Sequence, residues 1–399
     1  MGGMKSSSLC RGFVLAVVPL LAAHGARQQA AAPAPSAPTI VHNITMHRSP
    51  QLPEIHSDGS VTFTFTEPNV QEVKLELDAM LQPVAMVPQS GGVWSYTTVP
   101  LKPAIYSYHY IVDGYDFVDP ASVDVTSNLL YHSTELLVPG SAVGLPPQPW
   151  EHTDVPHGVV AHHFYHSRVI GDDRDYFVYT PPGYDPRGKK KYPVLYLLHG
   201  YSDSAEGWTA VGRANLIFDN LLAAGKVEPM LVVMTLGYGD PKILHSKESP
   251  FDQPKVIAGN YNKYTDALLT EVMPAIGREY LVKTGANNTA IAGLSMGGAE
   301  SLYSGVAHPE IFGYVVSLSA APVEFQNPAK QLEWRAPREL LWLACGEQDP
   351  LVGAANRALD QYLKAQGVDA KFTWTQGAHT WLVWRENVVA FAPLLFRGK

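Results

Sequence analysis

The residues best placed to do chemistry are Gly293-Leu294-Ser295-Met296-Gly297-Gly298. The apolar run Ala290-Ile291-Ala292 precedes them, and a helix-forming segment, Ala299 to Val306, follows. A Gly-x-Ser-x-Gly between strand and helix is a sharp, strained turn that exposes the serine hydroxyl. The flanking glycines remove side chains that would collide there, and the helix amino terminus favours developing negative charge. A serine hydroxyl is a weak nucleophile until a base takes its proton. On such a scaffold the helpers follow in the order serine, acid, histidine. His379, in Gly377-Ala378-His379-Thr380-Trp381, comes after an expected last strand, Phe372 to Thr375, and is the expected base. Asp349, just past the apolar run Leu341 to Cys345, is the expected acid, with Glu347 as its rival in the same loop. The acid would hold the imidazole tautomer and stabilise the imidazolium. A tetrahedral intermediate also needs amide donors. The backbone N–H of Met296 is one candidate, and that of Tyr201, in Leu198-His199-Gly200-Tyr201-Ser202, is the other. His199 reads as a structural hydrogen-bonding residue. Trp208 and Trp381 flank these loops and are the expected substrate-binding aromatics, with packing as the competing role.

Other chemistries find little support. His162, His163 and His166 look like a metal cluster. On a strand, however, His162 and His166 would lie about 13 Å apart at ~3.3 Å per residue, too far for one ion. No Gly-x-Gly-x-x-Gly, phosphate-binding glycine loop or His-Glu-x-x-His occurs, so no cofactor and no metal is expected. The chain carries 29 basic and 37 acidic residues, a net charge of −8, which argues against nucleic acid and against anionic membranes as partners.

These residues must be held by a framework. Apolar runs of strand length at Tyr192–Leu198, Met230–Thr235, Thr289–Ala292, Tyr314–Leu318 and Leu340–Ala344 alternate with helix-length segments. Leu268, Val272, Ala275 and Ile276 share one face of a helix expected near 263–280. Fully apolar strands separated by helices imply a parallel sheet covered on both faces. The fold class is therefore α/β, an α/β-hydrolase domain over 159–399. Residues 50–140 differ. Val61–Phe65, Val73–Leu77, Trp94–Thr97 and Tyr106–Val112 are short alternating runs between turn residues, as in a small Ig-like β-sandwich. Residues 141–158, rich in proline and glycine, read as a linker. At the amino end, Lys5, Arg11 and the apolar run Phe13–Ala23 read as a signal peptide over 1–25, followed by an Ala/Pro-rich spacer over 26–49. A secreted or periplasmic protein is expected, with no membrane attachment after cleavage. Only Cys345 would then remain, so no intrachain disulfide is expected.

Together these stretches resemble a known family. Phe177-Val178-Tyr179-Thr180-Pro181-Pro182-Gly183-Tyr184, Leu197-Leu198-His199-Gly200, the Ser295 motif, Cys345-Gly346 with Asp349, and the His379 motif are similar to carbohydrate esterase family 1 catalytic domains. That family includes feruloyl and acetylxylan esterases. Siderophore trilactone esterases, S-formylglutathione hydrolase and mycolyltransferases are related. The resemblance implies a serine ester hydrolase using Ser295, Asp349 and His379 without a cofactor, on an acylated plant polysaccharide or oligosaccharide. A siderophore trilactone or transfer to a sugar acceptor is the alternative. A carbohydrate-binding protein with a lapsed site is a third reading, opposed by the intact residue set. Glu67-Pro68, Gly92-Val93-Trp94, Tyr106-Ser107-Tyr108 and Val112-Asp113-Gly114 resemble an early-set β-sandwich of the carbohydrate-binding module family 48 kind. Neither the acyl group nor the oligomeric state follows from the sequence.

Overall fold

The computed structural model describes residues 51–247, 249–321 and 339–397. The expected signal peptide and spacer lie outside them.

Two small antiparallel sheets come first. One runs in the order Glu54–Ile55, Val61–Thr66, Val93–Thr97, Val87–Pro88. The other runs Val84–Ala85, Val73–Leu77, Ala104–Val112, Tyr115–Phe117, with Thr134–Val138 also paired to the long strand. Alternation along the strands decides which side chains meet. Val61, Phe63 and Phe65 from one sheet and Leu75, Tyr108 and Tyr110 from the other fill a single core. The Tyr110 hydroxyl donates to Thr64 O across it, at 3.1 Å.

The third sheet has eight strands: β1 Val159–His166, β2 Asp173–Thr180, β3 Val194–Leu198, β4 Leu231–Thr235, β5 Thr289–Leu294, β6 Tyr314–Leu318, β7 Leu340–Gly346 and β8 Lys371–Thr375. Their order is β1-β2-β4-β3-β5-β6-β7-β8. The pairs from β4 to β8 are parallel. The all-parallel expectation needs correction at one edge, where β1 and β2 form an antiparallel hairpin and β2 meets β4 antiparallel. Burial explains the difference. The central strands β3 to β6 are wholly buried, as parallel strands under helices must be. β1 instead alternates between exposed and half-buried positions, which suits an edge.

Both faces are covered. Leu195 and Leu197 of β3 point into a core with Ile217, Phe218, Val388 and Phe391. Val194, Tyr196 and Leu198 point to the other face, toward Leu268, Val272, Ile276 and Leu302. The helical segments Ala214–Ala223 and Trp381–Phe391 supply the first face. The second is supplied by a continuous helical stretch from Pro254 to Glu279 and by Met296–Ala307. Among the described residues no helix is long and apolar enough to cross a membrane.

The small sheets are tied to the large one by buried polar groups. Arg385, 1% exposed, donates from Nη1 to Ile105 O at 2.7 Å and from Nε and Nη2 to Val211 O at 3.1 and 2.9 Å. Glu135 meets Arg213 at 2.7 Å and lies 3.7 Å from Arg385. The 141–158 connection is likewise fixed. Trp150 enters the core, Glu151 accepts from the Gly140 and Gln148 amides, and Asn220 donates to Pro149 O and Glu151 O.

Candidate active site

The carboxyl ends of β3, β5, β7 and β8 lie along one end of the sheet, with β6 between β5 and β7, and each is followed by a loop carrying one expected site residue. Ser295 follows β5 directly. Its φ of 50° and ψ of −111° are strained for a side-chain-bearing residue, costing about 1–3 kcal/mol that the surroundings must offset. The Ser295 N–H donates to Leu318 O at 2.8 Å, and Ser295 O accepts from Ala299 and Ala321 at 3.0 Å each, fixing the bend on both sides. The glycines are required by space. A Cβ on Gly293 would stand 2.4 Å from Gly297 O, and one on Gly297 would stand 2.4 Å from His199 O. The helix begins at Met296, so its amide is one of the first-turn N–H groups that lack an intrahelical acceptor.

The structure brings the three expected side chains into one chain of hydrogen bonds. His379 Nε2 lies 3.0 Å from Ser295 Oγ, and His379 Nδ1 lies 2.7 Å from Asp349 Oδ2. Asp349 Oδ1 accepts from the Leu351 and Val352 amides at 3.0 Å each. Burial opposes charge on this carboxylate. The His379 bond and charge, with the two amides, outweigh burial and hold the group below the ordinary aspartate range. Glu347 points to solvent and makes no bond to His379. The loops that carry Asp349 and His379 are laced together, since Gln348 Oε1 accepts from Gly377 N at 2.7 Å and Gln348 N donates to Gly377 O at 3.0 Å.

The 199–204 turn closes the other side. Gly200 packs against Ser295, so that a Cβ there would lie 3.5 Å from Ser295 Cβ. Tyr201 directly follows this glycine in the chain, and its hydroxyl donates to Ile243 O at 3.1 Å. His199 is fully buried, and burial lowers its pKa to about 4, so the ring is neutral. It accepts from Gly237 N at 2.8 Å and donates to Gly200 O at 2.7 Å, which leaves no nitrogen for a second base.

The aromatic expectation needs correction. Trp208 is 0% exposed and donates its indole N–H to Leu198 O at 2.8 Å, so it is a core residue and cannot touch substrate. Trp381 is half-buried and packs edge-on against Trp208 at 5.0 Å and Trp384 at 5.4 Å. Trp384 in turn meets the His379 ring edge-on at 5.0 Å. That support was missed, although Trp381 and Trp384 stand three apart on one helix and so share a face. The three histidines of β1 go to separate partners: His162 to Asp175, His163 to Tyr280 and His166 to Asp173.

This geometry can be set beside known proteins. The Esterase family model matches residues 167–394. The chain belongs to that esterase family. Its likeness to carbohydrate esterase family 1 holds as well. An endo-1,4-beta-xylanase/feruloyl esterase of Xylanibacter ruminicola is 29% identical over 360 residues, covering 87% of this chain and 46% of that protein. The chain thus spans about half the length of that curated relative. The solved ferulic acid esterase of Anaeromyces mucronatus is 26% identical with a TM-score of 0.56, over 63% of this chain and 96% of that one. The enterochelin esterase of Shigella flexneri shares the fold at 19% identity and a TM-score of 0.64, over 84% of this chain and 91% of that one.

Proposed function

We propose that this esterase works by nucleophilic serine catalysis on an acylated plant carbohydrate, with ferulate as the favoured acyl group. The observation that carries the mechanism is the continuous Ser295–His379–Asp349 chain of bonds. His379 takes the Ser295 proton as Oγ attacks the ester carbonyl, and Asp349 stabilises the resulting imidazolium. The Met296 and Tyr201 amides receive the oxyanion. Collapse expels the sugar alcohol, which takes the proton from His379. Water repeats the sequence on the acyl-enzyme and releases the acid. The named activities of the Xylanibacter and Anaeromyces relatives support the choice of ferulate. In this reading the two small sheets form an early-set β-sandwich, and residues 1–25 direct export.

The test is a panel of methyl ferulate, acetylated xylan and enterobactin with the parent enzyme and Ser295→Ala. Methyl ferulate turnover that disappears in the variant is expected. Turnover retained in Ser295→Ala would remove the mechanism. Preference for enterobactin would move the substrate to siderophore lactones. Acylated sugar appearing when a sugar acceptor is supplied would indicate transfer instead of hydrolysis.

A further inference from the structure

Resting on the serine-esterase reading above, we propose that Asn128 is a positioning residue for ester hydrolysis: from the N-terminal sheets it clamps the turn that carries the Tyr201 oxyanion amide. Asn128 lies in the segment between Tyr115–Phe117 and Thr134–Val138, more than 70 residues before that turn in sequence. Its side-chain amide donates from Nδ2 to both Ser202 Oγ and Asp203 Oδ1, each at 2.9 Å. Its Oδ1 accepts from the Leu130 and Tyr131 amides at 3.0 and 2.8 Å, so the side chain is held at both ends. The backbone joins in. Leu129 N donates to Ser202 O at 2.7 Å, Asn128 and Asp203 form an isolated antiparallel bridge, and Ser204 Oγ donates to Ser127 O at 3.2 Å.

The clamped residues need such a hold. Ser202 has a φ of +72°, a left-handed conformation that a serine adopts only when neighbours enforce it. Ser202 and Asp203 are each 5% exposed, so few waters are available to replace the Asn128 bonds. Burial raises the Asp203 carboxyl to about 7, and the Asn128 bond works against that rise. The consequence for chemistry follows from position. The peptide carrying the Tyr201 N–H joins Gly200 to Tyr201, with only the Tyr201 Cα and the next peptide between it and the strained Ser202, and Gly200 packs against Ser295. A turn that relaxes at Ser202 rotates the donor away from the oxyanion without touching Ser295, His379 or Asp349. Such a shift weakens binding of the tetrahedral state while leaving the ground-state ester nearly unaffected. The N-terminal sheets are then part of the catalytic centre and not an appended binding unit.

The full chain carrying Asn128→Asp is compared with Asn128→Ala and with the exchange pair Asn128→Asp/Asp203→Asn. Asn128→Asp puts two carboxylates face to face, and the exchange restores one amide donor opposite one carboxylate. The readouts are kcat and KM on p-nitrophenyl acetate, affinity for a trifluoromethyl ketone, whose hydrate or adduct oxygen sits in the oxyanion position, and melting temperature. Expected is a kcat lower by about 10- to 100-fold in Asn128→Asp with KM within about threefold, a matching loss of ketone affinity, and recovery in the exchange pair. Unchanged kcat in Asn128→Ala and Asn128→Asp overturns the proposal. So does a kcat loss that merely tracks the unfolded fraction, or one that the exchange fails to repair. If Ser295→Ala also turns over substrate, the hydrolytic reading falls and this proposal with it. If Ser295→Ala is inactive while the Asn128 variants match the parent, this proposal alone is refuted.

Discussion

Asp349→Asn separates the proposed role of Asp349 as the triad acid from its role in holding the loop. Two interactions of different kinds meet at this side chain. Oδ1 accepts from the Leu351 and Val352 amides, and an asparagine carbonyl can do the same. Oδ2 accepts from His379 Nδ1 at 2.7 Å, and there the asparagine must present an NH2 group. That group donates to Nδ1 and forces the ring proton onto Nε2, which faces Ser295 Oγ at 3.0 Å. The ring can then no longer accept the serine proton. Losing a hydrogen bond to a charged group costs about 1.5–3 kcal/mol, or roughly ten- to 150-fold. The wrong tautomer adds to this, and together they give a kcat loss of about 10⁴, or about 5.5 kcal/mol at 1.36 kcal/mol per tenfold. The loop should remain folded, because its amides keep their acceptor. The assay is kcat on methyl ferulate, with near-ultraviolet circular dichroism to check the fold and Glu347→Gln as the control at the exposed neighbour. A kcat within tenfold of the parent in folded Asp349→Asn would refute the assigned tautomer. So would an equal loss in Glu347→Gln.

The corrected role of Trp208 predicts that Trp208→Phe lowers stability by about 1–3 kcal/mol, because Leu198 O is left without its donor in the core, while KM for methyl ferulate stays within about twofold; urea unfolding and steady-state kinetics check both. Stability should also depend on pH through Asp78 and Asp203, whose carboxyls burial raises from 3.8 to about 7. Between those values the folded state binds more protons than the unfolded chain, so stability falls as pH rises from about 4 to about 7 and levels off above. Melting temperatures across pH 5 to 8 should show this. Asp78→Asn, which removes the charge that burial opposes, should flatten the fall and gain about 1 kcal/mol at pH 8; an unchanged slope would count against it.

The sequence determined the chemical outline because its rules are local. Glycines at 293 and 297, an apolar run before them and a helix after them can be satisfied by only one kind of bend, and the structure shows why in contacts of 2.4 Å. Periodicity likewise placed β3 to β8 within a residue or two; for β3 to β6 the reason is that a strand buried on both faces must be apolar throughout. Tertiary structure decided what depends on neighbours distant in the chain. Asp349 and Glu347 are indistinguishable in composition and loop position, but only Asp349 is buried against His379 and given two amides to accept. Trp208 and Trp381 looked alike beside the site, and burial made one of them core. The antiparallel edge followed from where β1 and β2 sit in the sheet. Asn128 carried no local signal, because its significance is a pair of hydrogen bonds to residues more than 70 positions away. Side-chain type and short-range spacing fix what a residue can do, whereas burial and long-range partners fix which of the able residues does it.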